Sequence, residues 1–360
     1  MRILVIGAGN GGAAAAVELS LAGHEVRLYA RSASTLEPFS RDGIGFTGVL
    51  GEGRLRPFGL GSDLAAAIAD VEAAVVALPV YAHGAVARAL AEAGWGAARP
   101  IILNPGHTGG VFEFETAYRA VRDELPPVAE FSTLAYVARK PRPDVVNVTG
   151  RAKALRAASL PSGRAALELA CALFPGAYDS GDVIATGLSN VNMIVHPPGA
   201  MLGASWSEAT GGDFTFYVQG MTSGVMHVMR ALDAERIAVA AAFGHTLPTV
   251  IGEMRALGTV PADADPEDYG AIASGAANRL IKAPDSLDHR YYVEDFGHGL
   301  VPFTAIARIA GVPTPVADAL IALCAIARGS GQIATRGAAE MGLVGWSRDA
   351  LLARVGVAST

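Results

Sequence analysis

Residues 3–12 read Ile3-Leu4-Val5-Ile6-Gly7-Ala8-Gly9-Asn10-Gly11-Gly12, and this stretch decides the fold of the first half of the chain. Four consecutive aliphatic residues with no polar alternation make a strand covered on both faces, the kind found in parallel sheets. The glycines that follow break the strand, and an Ala-rich run to about Ala22 then reads as a helix ended by Gly23. A G-x-G-x-x-G pattern alone says little. Between a buried strand and a helix, it has a specific physical reading. Gly7 permits the tight turn, Gly9 lets backbone approach a pyrophosphate, and Gly12 lets helix and strand pack closely. Free N–H groups at the helix start then meet the phosphate charge. Gly7, Ala8, Gly9, Asn10, Gly11 and Gly12 are therefore expected to bind a dinucleotide.

Outward from this stretch, strands and helices alternate. Glu25–Tyr29 is a second strand, Asp63 caps a short helix to Ile68, and Ala73–Leu78 is a strand closed by Pro79. A helix over 83–93 follows, then the strand Ile101-Ile102-Leu103, ending at Asn104-Pro105-Gly106, with Thr108 placed to cap a helix through Arg122. Alternation of this kind implies an α/β domain with a doubly wound parallel sheet, the Rossmann arrangement. Pro79 and Asn104, at strand ends, are further cofactor-binding candidates. Residues 128–160 contain two or three strand-like runs, expected to form a β-meander added to the same sheet. From about 186 the pattern turns helical. Asp233, Asp265-Pro266, Thr314-Pro315 and Ser347 read as helix starts, and Gly244, Gly329 and Gly356 as stops. The expected division is 1–185, a Rossmann domain, and 186–360, an all-α domain for substrate and dimerisation.

Length and composition agree. A single core stops growing at roughly 250–300 residues, and this chain has 360, of which 51% are hydrophobic and 17% charged. A net charge of −6 offers no electrostatic case for nucleic acid or an acidic membrane. Every long apolar run is interrupted by charge or proline, so no membrane span is expected. Residues 3–6 are too short for a signal-peptide core. Cys171 and Cys324 lie far apart in helical patterns and read as buried thiols. A cytoplasmic enzyme is the expected class.

The end of the second strand selects the cofactor. An Asp or Glu there would hold the ribose hydroxyls of NAD. This chain has Tyr29-Ala30-Arg31-Ser32 instead. Arg31 and Ser32 can hold a 2′-phosphate, so NADP is the expected cofactor, with NAD as the other option. The competing reading of Arg31 is a solvated loop residue.

A nicotinamide enzyme needs a proton donor, and histidine is suited to that role near neutral pH. Of eight histidines, His196 stands out, within Ser189-Asn190-Val191-Asn192-Met193-Ile194-Val195-His196-Pro197-Pro198 at the start of the helical half. Two prolines are expected to fix the chain after it.

The stretch 190–204 (NVNMIVHPPGAMLGA) resembles the corresponding part of the opine dehydrogenases, the octopine/nopaline dehydrogenase family. So do Arg290-Tyr291-Tyr292-Val293-Glu294-Asp295, Gly299-Leu300-Val301-Pro302, Gly311-Val312-Pro313-Thr314-Pro315, Asn104-Pro105-Gly106 and the leading glycine motif. The similarity runs through almost the whole chain in order. It implies NAD(P)H-dependent reductive condensation of a 2-oxo acid with an amino acid or other amine, giving a secondary-amine dicarboxylate. It also implies that His196 and Asp295 form the catalytic pair, that Arg290 holds the oxo-acid carboxylate with Asn192 also in the substrate site, and that the protein is a homodimer. Several relatives keep an acid after strand two, so Ala30-Arg31 departs from their pattern and puts NAD in doubt.

A carboxylate oriented on an imidazole fixes its tautomer and lets the ring donate a proton or polarise an acceptor. The plainer readings are a helix-capping acid for Asp295 and a structural ion pair for Arg290. His289 and His298 flank the same segment, but their spacing fits no zinc pattern and no metal is expected. Two other functions stay open. A ketopantoate-reductase-like or 2-hydroxyacid dehydrogenase would share the Rossmann half, but several such enzymes use a helical lysine, and after 186 there is only Lys282. A non-catalytic dinucleotide sensor would show no turnover and would bind indifferently to loss of His196.

Overall fold

The structure, a computed structural model, describes residues 1–275, 278–329 and 335–357. The chain divides into two units, one of Met1–Gly106 with Glu113–Gly181, the other of His107–Phe112 with Asp182–Thr360. The sequence reading put the division at 185/186 and left the 107–112 segment with the first half. That segment clusters with the helical unit. The Thr108 hydroxyl donates to the Gly187 carbonyl at 2.9 Å, and the helix that follows is Gly110–Arg119.

The first unit holds twelve strands: β1 (Arg2–Ile6), β2 (Glu25–Tyr29), β3 (Ile44–Gly48), β4 (Gly53–Leu55), β5 (Gly59–Gly61), β6 (Ala73–Val76), β7 (Ile101–Leu103), β8 (Val128–Phe131), β9 (Tyr136–Arg142), β10 (Val145–Arg151), β11 (Leu155–Ser159) and β12 (Ala177–Asp179). Eight form the main sheet in the order β12-β11-β8-β7-β6-β1-β2-β5. From β5 to β8 all neighbours are parallel, and this stretch has the 3-2-1-4-5-6 order of the Rossmann fold. The central strands are wholly buried, as their unbroken aliphatic runs require: Ile3, Leu4, Val5, Val75, Val76 and Ile102 expose nothing. The order reverses between β1 and β6, and ligands of such sheets bind beyond the carboxyl ends of the strands at that point.

The expected β-meander on the main sheet needs correction. Only β8 and β11 of the 128–160 region join that sheet, as an antiparallel pair. Between them β9 and β10 form a hairpin in a second sheet, ordered β4-β3-β10-β9. There β10 lies parallel to β3, with Val145 opposite Gly45. This small sheet covers the first helix, α1 (Asn10–Leu21), which packs against β9 and β10. The Tyr136 hydroxyl donates to buried Glu18 of α1 at 2.5 Å, and Arg151 pairs with the same carboxylate.

In the second unit the described residues form helices, with one isolated bridge between Thr215 and Lys282. Thr314-Pro315 opens the helix Pro315–Ala327, and the Ser347 hydroxyl caps Arg348–Val355. Asp233 is not a helix start. It sits inside the helix Ser223–Ala242, fully buried, accepting from Arg236 Nε at 2.6 Å, the Val250 N–H at 2.7 Å and the Tyr269 hydroxyl at 2.6 Å. Pro197 and Pro198 lie within the helix Asn192–Leu202. No described helix is long and apolar enough to cross a membrane.

Candidate active site

The dinucleotide loop is built by backbone geometry. Gly7 follows β1 with φ +114°, and a Cβ there would lie 2.4 Å from the Ala77 carbonyl oxygen, beyond the end of β6. A Cβ on Gly12 would lie 1.7 Å from the Gly7 carbonyl oxygen, so only glycine lets α1 pack this closely on the turn. Gly9 differs, because a Cβ there would meet nothing within 4 Å. Its freedom from side chain therefore leaves open space beside the loop, and no side chain caps the helix start that Gly9 precedes. Unclaimed N–H groups next to open space suit a pyrophosphate. The loop fits the group that the sequence implied.

The remaining cofactor candidates share the same edge of the sheet. Arg31 and Ser32 follow β2, Pro79 follows β6, and Asn104 follows β7. Arg31 is exposed, while Ser32 Oγ is 2.6 Å from Ser34 Oγ. Asn104 is buried, accepts the Ala135 N–H at 3.0 Å and precedes a cis peptide bond to Pro105. Lys140, in β9, was not anticipated. Its backbone N–H donates to Asn10 Oδ1 at 3.0 Å and its ammonium to the Ala8 carbonyl at 3.3 Å.

In the second unit, His196 and Asp295 lie 99 positions apart in sequence and meet in the fold: Nδ1 is 2.7 Å from Asp295 Oδ2. Both side chains are buried, at 5% and 3% exposure. Asp295 belongs to a wide π-helical stretch, Tyr291–Leu300, that packs on the His196 helix. A carboxylate only accepts, so Nδ1 carries a proton and Nε2 is the atom left for chemistry. Nε2 is 2.9 Å from the Tyr217 hydroxyl. The imidazole stacks on Tyr291, with centroids 3.8 Å apart, and meets Phe216 edge-on. Burial first, then the neighbouring Tyr291 hydroxyl and the Asp295 charge, push the Tyr217 phenol well above its usual range. Tyr217 therefore keeps its proton and can donate to a neutral Nε2. Sequence reasoning missed Tyr217 because Phe214-Thr215-Phe216-Tyr217 reads as core.

Asn192 is half-buried at the start of the same helix, one turn before His196 and on its face. Asn190 is the buried amide, donating to Thr108 Oγ1 at 3.3 Å and accepting the Asn192 N–H at 3.1 Å. The Arg290 side chain is 60% exposed, and its Nε lies 4.0 Å from the Glu294 carboxylate. His107 is buried within reach of the charges of Arg336, Arg290, His196 and His298. Burial chiefly, then the two arginines, lower its imidazole to about 3. Lys282 is a surface residue bonded to Asp213 at 2.6 Å, which suits no proton donor.

Known proteins resemble this chain throughout its length. The family model of the NAD/NADP octopine/nopaline dehydrogenase α-helical domain matches residues 179–328, and that of ketopantoate reductase PanE/ApbA matches 3–97. An opine dehydrogenase of Arthrobacter sp. (strain 1C) is 34% identical over 323 residues, 89% of this chain and 88% of that protein. The chain belongs to the opine dehydrogenase family. It is an NAD(P)-dependent oxidoreductase acting on CH–NH bonds by reductive condensation of a 2-oxo acid with an amine. Among solved structures, an octopine dehydrogenase in complex with NADH and agmatine has the same fold, with TM-score 0.76 at 21% identity, covering 100% of this chain and 99% of the other. A yersinopine dehydrogenase with NADP+ bound follows at TM-score 0.71 and 16% identity, covering 98% and 95%. The opine dehydrogenase family thus includes structures with either nicotinamide dinucleotide.

Proposed function

We propose that this opine dehydrogenase prefers NADP and works through His196 and Asp295, with Arg290 and Asn192 on the substrate side. The observation that carries the reading is the His196 imidazole, buried in an aromatic box and held between Asp295 at 2.7 Å and Tyr217 at 2.9 Å. When bound, the reduced nicotinamide supplies a hydride. The reaction also needs proton movement: an amine must lose a proton to attack the oxo carbon, and a departing water must gain one. Nε2 of His196 is the chain's atom for both transfers, because Asp295 holds Nδ1 protonated and prevents the ring from turning. Tyr217 fills the place of the substrate hydrogen bond until the substrate takes it. Stacking on Tyr291 fixes the ring plane and excludes water from it.

The exposed Arg290 guanidinium is an arm available to an anion. The proposed anion is the oxo-acid carboxylate, which Arg grips at two points where Lys cannot. Asn192, one turn from His196, offers an amide to the same substrate. Arg31 and Ser32, with no acid after β2, support NADP. A homodimer through the helical unit and a cytoplasmic setting belong to the same reading. Of the named relatives, the octopine dehydrogenase binds NADH and agmatine and the yersinopine dehydrogenase binds NADP+, which supports an amine and a nicotinamide dinucleotide here.

The test combines cofactor and histidine. Wild type should show a kcat/KM for NADPH at least about tenfold above NADH, a difference of ~1.4 kcal/mol. His196→Ala should lower kcat by about a hundredfold or more with little change in NADPH affinity. Equal use of NADH removes the NADP preference; near-normal turnover in His196→Ala removes His196 from the mechanism.

A further inference from the structure

Lys140 is one of three lysines in the chain, and its place in the fold is unusual. It lies on β9, in the small sheet that covers α1, far in sequence from every cofactor motif. Yet it is tied to the glycine loop twice, by its N–H to Asn10 Oδ1 at 3.0 Å and by its ammonium to the Ala8 carbonyl at 3.3 Å. The same ammonium sits over the Phe39 ring, 4.8 Å from its centroid. Phe39 is a buried residue of α2 (Ala33–Asp42), the helix that begins directly after Ala30-Arg31-Ser32. The lysine head therefore lies between the glycine loop and the helix after β2.

That location has a chemical meaning. The pyrophosphate goes to the N–H groups at the start of α1. The residues after β2 read the adenosine ribose at its 2′ position. A cation bonded to a loop carbonyl and packed on α2 stands on the ribose side of the loop. Among the described residues, no carboxylate pairs with the Lys140 ammonium; its contacts are a carbonyl dipole and a ring face. Half-burial already lowers its pKa from the usual lysine value, so a dianionic phosphate alongside would be a favourable partner.

We infer that Lys140 is a specificity-determining residue for the 2′-phosphate of NADP, gripping it together with Arg31 and Ser32. This rests on the reading of Arg31 and Ser32 as the 2′-phosphate holders and adds a third group from a separate sheet. It also gives the β9–β10 hairpin a function: it lays a cation across the cofactor loop from outside the parallel sheet.

The test is equilibrium binding of NADPH, NADH and 2′,5′-ADP to the whole protein, by nucleotide fluorescence and calorimetry. Lys140→Met keeps the aliphatic stem against Phe39 and removes only the charge. It should raise Kd for NADPH and 2′,5′-ADP by about tenfold or more, the scale of one lost charge-assisted contact. NADH affinity should stay within about twofold. Lys140→Arg should recover most of the loss. A wild type that binds NADH more tightly than NADPH overturns the underlying NADP reading. A wild type that prefers NADPH, but whose Lys140→Met variant loses NADPH and NADH equally or neither, overturns the role of Lys140 alone.

Discussion

Replacing Asp295 with Asn removes one charge and almost no volume, which makes it the sharpest probe of the histidine pair. The carboxylate accepts from His196 Nδ1 at 2.7 Å, with both groups buried. A hydrogen bond to a charged group is worth about 1.5–3 kcal/mol net. Asn keeps an acceptor oxygen but loses the charge that compensates a proton arriving at Nε2. If the whole of that contribution is felt in the transition state, kcat falls by about 10- to 150-fold, at ~1.4 kcal/mol per decade. NADPH affinity should hardly move, because the cofactor loop belongs to the other unit. Asp295→Ala should also lower stability, by about 1–3 kcal/mol, since the buried His196 Nδ1–H is left unsatisfied. The assay is single-turnover NADPH oxidation at saturating 2-oxo acid and amine, with thermal melting as the check on folding. A folded Asp295→Asn enzyme with kcat within about twofold of wild type would falsify the orienting role of Asp295.

Three further outcomes follow from particular residues. Gly9→Ala places a methyl in space that no protein atom occupies, so NADPH Kd should rise about tenfold or more while Tm of the unliganded protein stays unchanged; a normal Kd means the pyrophosphate does not approach Gly9. Arg290→Ala should raise the KM of the 2-oxo acid at least about tenfold and Arg290→Lys should rescue part of it; a rise in NADPH Kd with unchanged oxo-acid KM would assign the arm to a cofactor phosphate instead. Burial first, then nearby arginine charge, lowers the His107 and His298 imidazoles from 6.5 to about 3. The unfolded chain takes up these protons near pH 6.5 and the native protein only near 3, so stability is complete above 6.5 and is lost as pH falls through that window. At pH 4.5 each histidine should cost about 2–3 kcal/mol, measured by urea unfolding at pH 7.5 and 4.5. His107→Asn, which tolerates the local φ of 57°, should flatten the dependence; an unchanged slope contradicts it.

The main sheet was legible because parallel strands covered on both faces leave unbroken aliphatic runs closed by Gly or Pro, as at Ile3–Ile6 and Ile101–Leu103. The small sheet was not. Its strands β3 and β4 are interrupted by Gly45, Gly48 and Gly53, so they carry no period, and the pairing of Gly45 with Val145 spans 100 residues. Asp233 looked like a helix start because acids favour that position; in the fold its carboxylate instead satisfies three donors inside the core. His196 and Asp295 were legible through a resemblance, since no local pattern joins residues so far apart. Tyr217 was invisible because an aromatic run buries its rings whatever its hydroxyl does. Arg290 shows the converse limit: being five residues from Asp295 places it near the pair but says nothing about burial.

The central claim is that a carbon–nitrogen bond is made and reduced here, and the most direct measurement is the dependence of NADPH oxidation on both organic substrates. A panel of 2-oxo acids is offered with and without amino acids and amines such as agmatine, and the products are identified by mass. Rapid oxidation that requires both partners, with one secondary amine formed per NADPH consumed, is the predicted result. Oxidation supported equally well by a 2-oxo acid alone, yielding the 2-hydroxy acid, would contradict it and place the chain among the hydroxyacid dehydrogenases.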